Sequence, residues 1–146
     1  MAADIHVTVA AVTERDGRFL LVEETVGGRL VINQPAGHLE ARESLIDAVV
    51  RETLEETGWD FCPQALLGIY HYEAANGICY LRFAFTGAVT THHPERPLDT
   101  GICRALWLTR AELTARSADH RGPQVLRAVC DYEQGRRYPL TALAYP

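Results

Sequence analysis

The chain has 146 residues, a net charge of −5 and four cysteines. One domain over 1–146 with a substantial core is expected from that length, and an acidic balance argues against a nucleic acid polymer as partner. All fourteen basic residues are Arg, the better fork for phosphate oxygens. In chain order, residues 5–13 are β-branched or small and apolar and predict a strand, and Asp16-Gly17 a tight hairpin with 19–24 as its partner. Gly27-Gly28 breaks the chain before the short apolar run Leu30-Val31-Ile32, which leads into a loop at 34–40. Residues 44–57 predict a helix: Ser44 is a fair N-cap with Asp47 three residues on, and Gly58 stands where a left-handed C-cap belongs. Two strands follow, at 65–72 and 78–89, joined through Ala75-Asn76-Gly77. A polar loop at 90–100 precedes a strand at 103–108, and Thr109 caps a short helix through Ala111, Glu112 and Leu113. The last helix is expected at 123–133, with Pro in its first turn and Gly135 beyond its end. This order suits an α/β fold in which a mixed β-sheet is sandwiched between helices.

The cysteines show no C-x-x-C spacing, so reduced and mostly buried thiols are expected. The opening residues 1–4 lack a basic region followed by an apolar one, and no run approaches membrane-spanning length. A cytoplasmic protein without a membrane partner is the expectation, as a monomer or a homodimer.

The chemistry concentrates on the 44–57 helix. Glu52, Glu55 and Glu56 stand at i, i+3 and i+4 and so project from one helix face. Like charges at that spacing oppose the helix by about 0.2–0.5 kcal/mol per pair. A divalent cation reverses the penalty, and an oxygen-only donor set favours Mg²⁺, with Mn²⁺ as a substitute. The plain alternative is a solvated acidic face. The loop at 34–40, with Gly37 in it, together with Glu43 and Arg51, turns the reading toward a metal site. Arg51 has two readings: an ion pair with Asp47, four residues before it, or a brace for the glutamates.

Read together, Gly37, Glu43, Arg51, Glu52, Glu55, Glu56 and Gly58 spell G-x5-E-x7-R-E-x-x-E-E-x-G, with Trp59 closing a box at 37–59. A chance match is on the order of 10⁻⁷ at ordinary residue usage. On these residues the chain resembles the Nudix hydrolases. The segments 6–10, 21–25, 33–40 and 135–140 resemble a bacterial phosphatase group of that superfamily, so the resemblance covers nearly the whole chain. It implies the Nudix fold and metal-dependent hydrolysis of phosphoanhydride bonds. The implied substrates are small: nucleoside tri- and diphosphates and thiamine-related pyrophosphates such as that of hydroxymethylpyrimidine, with orthophosphate released. It also implies metal ligation by Glu52, Glu55, Glu56 and the Gly37 carbonyl, and catalytic roles for Glu52, Glu55, Arg51 and Glu43, with Arg51 linked to Glu43. Two departures stand out: Thr53 occupies the apolar position between Glu52 and Glu55, and Gly101 replaces an acidic residue before Ile102. Asp99, Glu95 or Glu73 are left as carboxylates outside the box to assist.

Glu52 is the favoured general base on a water attacking phosphorus in line. Candidate substrate contacts are Gln34 and His38, flanking Pro35 and Gly37 at the mouth of the loop, Arg29 and Arg18 on neighbouring strands, and Arg137, with Tyr138 either stacked on a heterocycle or packed on the core. His92-His93 reads as a solvated pair, not as metal ligands, and Trp59 and Trp107 as core. Two other functions stay open: cleavage of an internal diphosphate of the ADP-ribose or dinucleotide type, and a non-catalytic nucleotide sensor.

Overall fold

A change of sheet at Thr13 organises the molecule. The computed structural model describes residues 4–146; residues 1–3, part of the opening segment read above, lie outside the described residues. The elements run β1 (Ile5–Val12), β2 (Glu14–Arg15), β3 (Arg18–Val26), β4 (Arg29–Asn33), β5 (Ala36–His38), α1 (Leu45–Thr57), β6 (Trp59–Glu73), β7 (Cys79–His92), β8 (Ile102–Thr109), α2 (Arg110–Ala115) and α3 (Gln124–Glu133). One mixed sheet has the order β5-β1-β7-β6, in which β1 and β7 are parallel and the other pairs antiparallel. The second sheet pairs β3 with β2, β4 and β8, all antiparallel.

The expected partnership of 5–13 with 19–24 does not form. The Asp16-Gly17 turn is present, with φ of 53° and 78°, but it joins only the two-residue β2 to β3. Turn chemistry is local, whereas β1 is placed by burial: Val9, Ala10, Ala11 and Val12 are all buried, so both of its faces need cover. A central position between β5 and β7 supplies it. The 34–40 loop likewise holds a strand, β5, whose Gly37 pairs with Val9. β6 starts at Trp59 and β7 runs on to His92, into the stretch expected as loop.

Helices cover both faces of the strands. Val9, Ala11, Leu20 and Phe85 pack with Ala48 and Val49 of α1, while Ala10, Val12, Leu21 and Ala84 pack with Val125, Ala128 and Val129 of α3. α1 is capped as its sequence predicts: Ser44 Oγ accepts from the Asp47 N–H at 3.0 Å, and Gly58, at φ 75°, donates its N–H to Leu54. α2 is capped by Thr109. α3 is tied to β6 through buried Asp131, which accepts from the Tyr70 hydroxyl at 2.7 Å and from Arg127 Nε at 3.1 Å.

Trp59 and Trp107 pack against the α1-side core, with the Arg15 guanidinium over both rings. His92 stacks on Trp59 while His93 reaches Asp60, so the adjacent pair diverges. The cysteines are not mostly buried as expected: all four are free, Cys62 and Cys103 are exposed, and Cys79 and Cys130 are half-buried. Among the described residues no helix is long and apolar enough to cross a membrane.

Candidate active site

The site forms where α1 leans on the β5 edge. Pairing with β1 fixes the 36–38 backbone, and α1 presents its acidic face to it. A Cβ built on Gly37 would lie 2.1 Å from Glu52 Cδ, so only glycine leaves room for that carboxylate. One turn further on, Glu56 Oε1 accepts the Ala36 N–H at 2.9 Å. Both glutamates are nearly sealed, at 8% and 7% exposure.

Arg51 braces this arrangement. Its Nε and Nη2 donate to the two Glu43 oxygens at 2.9 and 2.7 Å, and Nη1 reaches Glu52 at 2.8 Å and Glu55 at 3.1 Å. Nη2 also donates to the His38 carbonyl at 3.1 Å, tying α1 to the end of β5. The fork is therefore spent on Glu43, Glu52 and Glu55, with Glu40 at 3.6 Å; among the described residues no ion pair joins it to Asp47. Glu43 in turn accepts the Glu40 N–H at 2.8 Å, closing the loop onto the helix start.

The electrostatics separate the carboxylates. Hydrogen bonding from Arg51 holds Glu43 below the usual carboxylate range. Burial raises Glu52, against the pull of Arg51 and with help from Glu55 and Asp99. Among the described residues Glu56 has no cation in hydrogen-bond contact, and burial pushes it to about 8, with Glu24, Glu52 and Asp99 adding to the rise.

A cleft of about 610 Å³ opens over these groups, walled by Glu24, Glu52, Glu56 and Asp99 together with Arg82 and Arg121. Asp99 is brought in by its backbone N–H, which donates to the Glu55 carbonyl at 2.9 Å, and by a turn completed at Gly101, whose φ is 91°. Glu95 and Glu73 do not line the cleft. Among the described residues no three His, Cys, Asp or Glu side chains form a ready-made metal cage. The donor chemistry nevertheless fits a hard dication: desolvated carboxylates with raised pKa values are relieved by positive charge, and Gly37 lets the Glu52 carboxylate come up against the β5 backbone.

The candidate substrate contacts scatter. His38 lines the cleft, 2.9 Å from His6; burial, then His6 and Arg121, lower its pKa. Gln34 is 1% exposed and spans Val125 O and Arg82, outside the cleft wall. Arg29 donates to the Ala118 carbonyl, Arg18 pairs with Glu112 at 3.0 Å, and Arg137 lies over the Tyr132 ring at 4.2 Å. None of these three reaches the cleft. Tyr138 is half exposed, its backbone bridged to Leu66.

Arg82 went unread in the sequence. It is fully buried, with Nη2 donating to Asn33 Oδ1 at 3.2 Å and Gln34 Oε1 at 3.1 Å. Burial lowers its pKa, while Tyr72 and Glu56 act the other way. Its signal was available: it is the sole charged residue in the run 78–89.

A family model described as NUDIX domain matches residues 4–129. The chain is 40% identical over 135 residues to Phosphatase NudJ of Escherichia coli strain K12 and of Shigella boydii, covering 92% of this chain and 88% of each relative. A solved NUDIX hydrolase from Nitrosomonas europaea superposes with a TM-score of 0.96 at 52% identity, over 98% of both chains.

Proposed function

The chain belongs to the Nudix family, hydrolases of phosphorus-containing anhydrides, and on that footing we propose that it removes the terminal phosphate of small organic di- and triphosphates with Mg²⁺ or Mn²⁺ bound. Nucleoside tri- and diphosphates and thiamine-related pyrophosphates, such as that of hydroxymethylpyrimidine, are the proposed substrates. The observation that carries the reading is the sealed pair Glu52 and Glu56 in a cleft that also holds two arginines. Likeness to relatives named as phosphatases supports terminal cleavage.

Glu52, Glu55, Glu56 and the Gly37 carbonyl would hold the cation. When bound, it neutralises phosphate oxygens and lowers the pKa of water. The chain's own groups do the rest. Glu52, whose proton affinity is raised by burial, is the carboxylate that accepts the proton of the attacking water. Arg51 keeps Glu52 and Glu55 oriented and fixes their distance from the β5 backbone. Arg82 and Arg121 line the cleft as cations for phosphate oxygens, which stabilises charge building on the leaving group.

The test is hydrolysis of a panel of nucleotides and organic pyrophosphates with Mg²⁺, scored for orthophosphate. Release of orthophosphate that stops with chelator, and is lost in Glu52→Gln, is expected. Two monophosphate products would instead mark cleavage of an internal diphosphate, and nucleotide binding without turnover a sensor.

A further inference from the structure

Two buried polar atoms, in residues that line the cleft, have no hydrogen-bond partner among the described residues. Thr8 Oγ1 and Gln124 Oε1 are buried without a hydrogen bond among the described residues, in side chains 7% and 8% exposed. Both residues line the same cleft as Glu52 and Glu56. Leaving such atoms unpaired is destabilising, so the fold holds them against its own stability.

Their placement follows from the register of the mixed sheet. Thr8 stands between His38 of β5 and Arg82 of β7. The adjacent row on that face carries His6 of β1, Tyr80 of β7 and Tyr72 of β6. Tyr72 and Tyr80 are stacked, with centroids 5.5 Å apart and 19° between planes, and both line the cleft. Gln124 enters from the first residue of α3; its Oε1 lies where a Cβ on Gly122 would come within 2.3 Å. A flat aromatic wall and an unmet acceptor thus share one cavity with the buried Arg82 cation.

We propose that Thr8, Gln124 and the Tyr72–Tyr80 wall form a specificity subsite that reads the organic part of the substrate, a flat nitrogen heterocycle bearing an N–H donor. The Gln124 amide oxygen accepts from that donor and the Thr8 hydroxyl bonds the edge of the same ligand, while Arg82 takes the phosphate side. This rests on the phosphohydrolase reading above, but it makes a claim about binding that does not need turnover.

The experiment is therefore equilibrium binding by calorimetry of two methylene-bridged analogues that resist hydrolysis: that of adenosine triphosphate, and its counterpart with purine, which lacks the exocyclic amine. The wild type should prefer the amine-bearing analogue by about tenfold, the worth of one good neutral hydrogen bond. In Gln124→Leu the preference should fall to about one, and Thr8→Val should weaken the amine-bearing analogue several-fold. Melting temperature provides a second readout: both variants remove an unpaired buried atom, so both should melt at or above the wild type. Equal affinity of the wild type for the two analogues overturns the subsite. So does a preference that survives Gln124→Leu, or an affinity loss accompanied by a lower melting temperature. Failure to hydrolyse the panel of substrates while the binding preference holds would defeat the phosphohydrolase reading instead.

Discussion

At the scale of single residues, the site depends on close fits that tolerate little change. The Glu52 carboxylate occupies the space a side chain at Gly37 would need. Gly37→Ala should therefore displace it and cost about 1–3 kcal/mol, with turnover falling further than stability; steady-state kinetics beside a thermal melt would show the split. Arg51→Ala leaves Glu43, Glu52 and Glu55 without their common cation, and about 3 kcal/mol of stability should go with it. Equal melting temperatures for this variant and the wild type would argue that the brace does nothing. Glu52→Gln, which keeps the shape and removes the proposed proton acceptor, should lower kcat by about 10²–10⁴-fold. The acidic run was legible because its spacing is periodic on a helix. Thr8 and Gln124 were not, because nothing about a lone threonine or glutamine in a sequence tells which cavity it will border. Gln34 shows the converse: it opens the 34–40 loop in sequence, yet its side chain turns inward to Val125 and Arg82.

Among the elements, α1 was read almost to the residue, since its caps and its acidic face are local features. Thr53, a departure from an apolar position, is accommodated by bonding its hydroxyl to the Val49 carbonyl at 2.7 Å, so that a fully buried polar atom is satisfied. Thr53→Val should therefore shift stability by less than about 1.5 kcal/mol in either direction, as measured by denaturant unfolding. The strands were found but mispaired. Residues 5–13 and 19–24 flank a sound turn, and a sequence reading assigns them to each other. Their actual partners are chosen by the burial of both faces of β1 and by the pairing of β3 with β8. β5 escaped notice because three residues containing a glycine carry no periodicity to detect.

For the molecule as a whole, ionisation couples stability to pH. Glu56 is raised to about 8 by burial, and Glu52 is raised as well. The folded chain thus keeps protons that the unfolded chain sheds near 4.5, so this stabilisation is present below that pH and drains away as pH climbs toward about 8. Glu23 and Glu43, lowered by their arginines, contribute in the opposite sense and lose their share on acidification. Calorimetric melts in chelator should therefore decline from mildly acidic to alkaline pH, and added Mg²⁺ should flatten that decline; parallel curves with and without the ion would count against Glu56 as a ligand. The mixed sheet also bears on how the chain is made. Thr13 bonds to Gly87, 74 residues away, and every rung between β1 and β7 spans the same interval. The first strand leaves the ribosome long before its parallel neighbour exists, so the central ladder is assembled late, after the loop-closure entropy has been met. Until then the nascent Val9-Ala10-Ala11-Val12 segment has β5 and α1 available but lacks its parallel neighbour and the cover of α3, and slow synthesis through residues 79–92 would lengthen the interval in which that edge is open to chaperones or to aggregation.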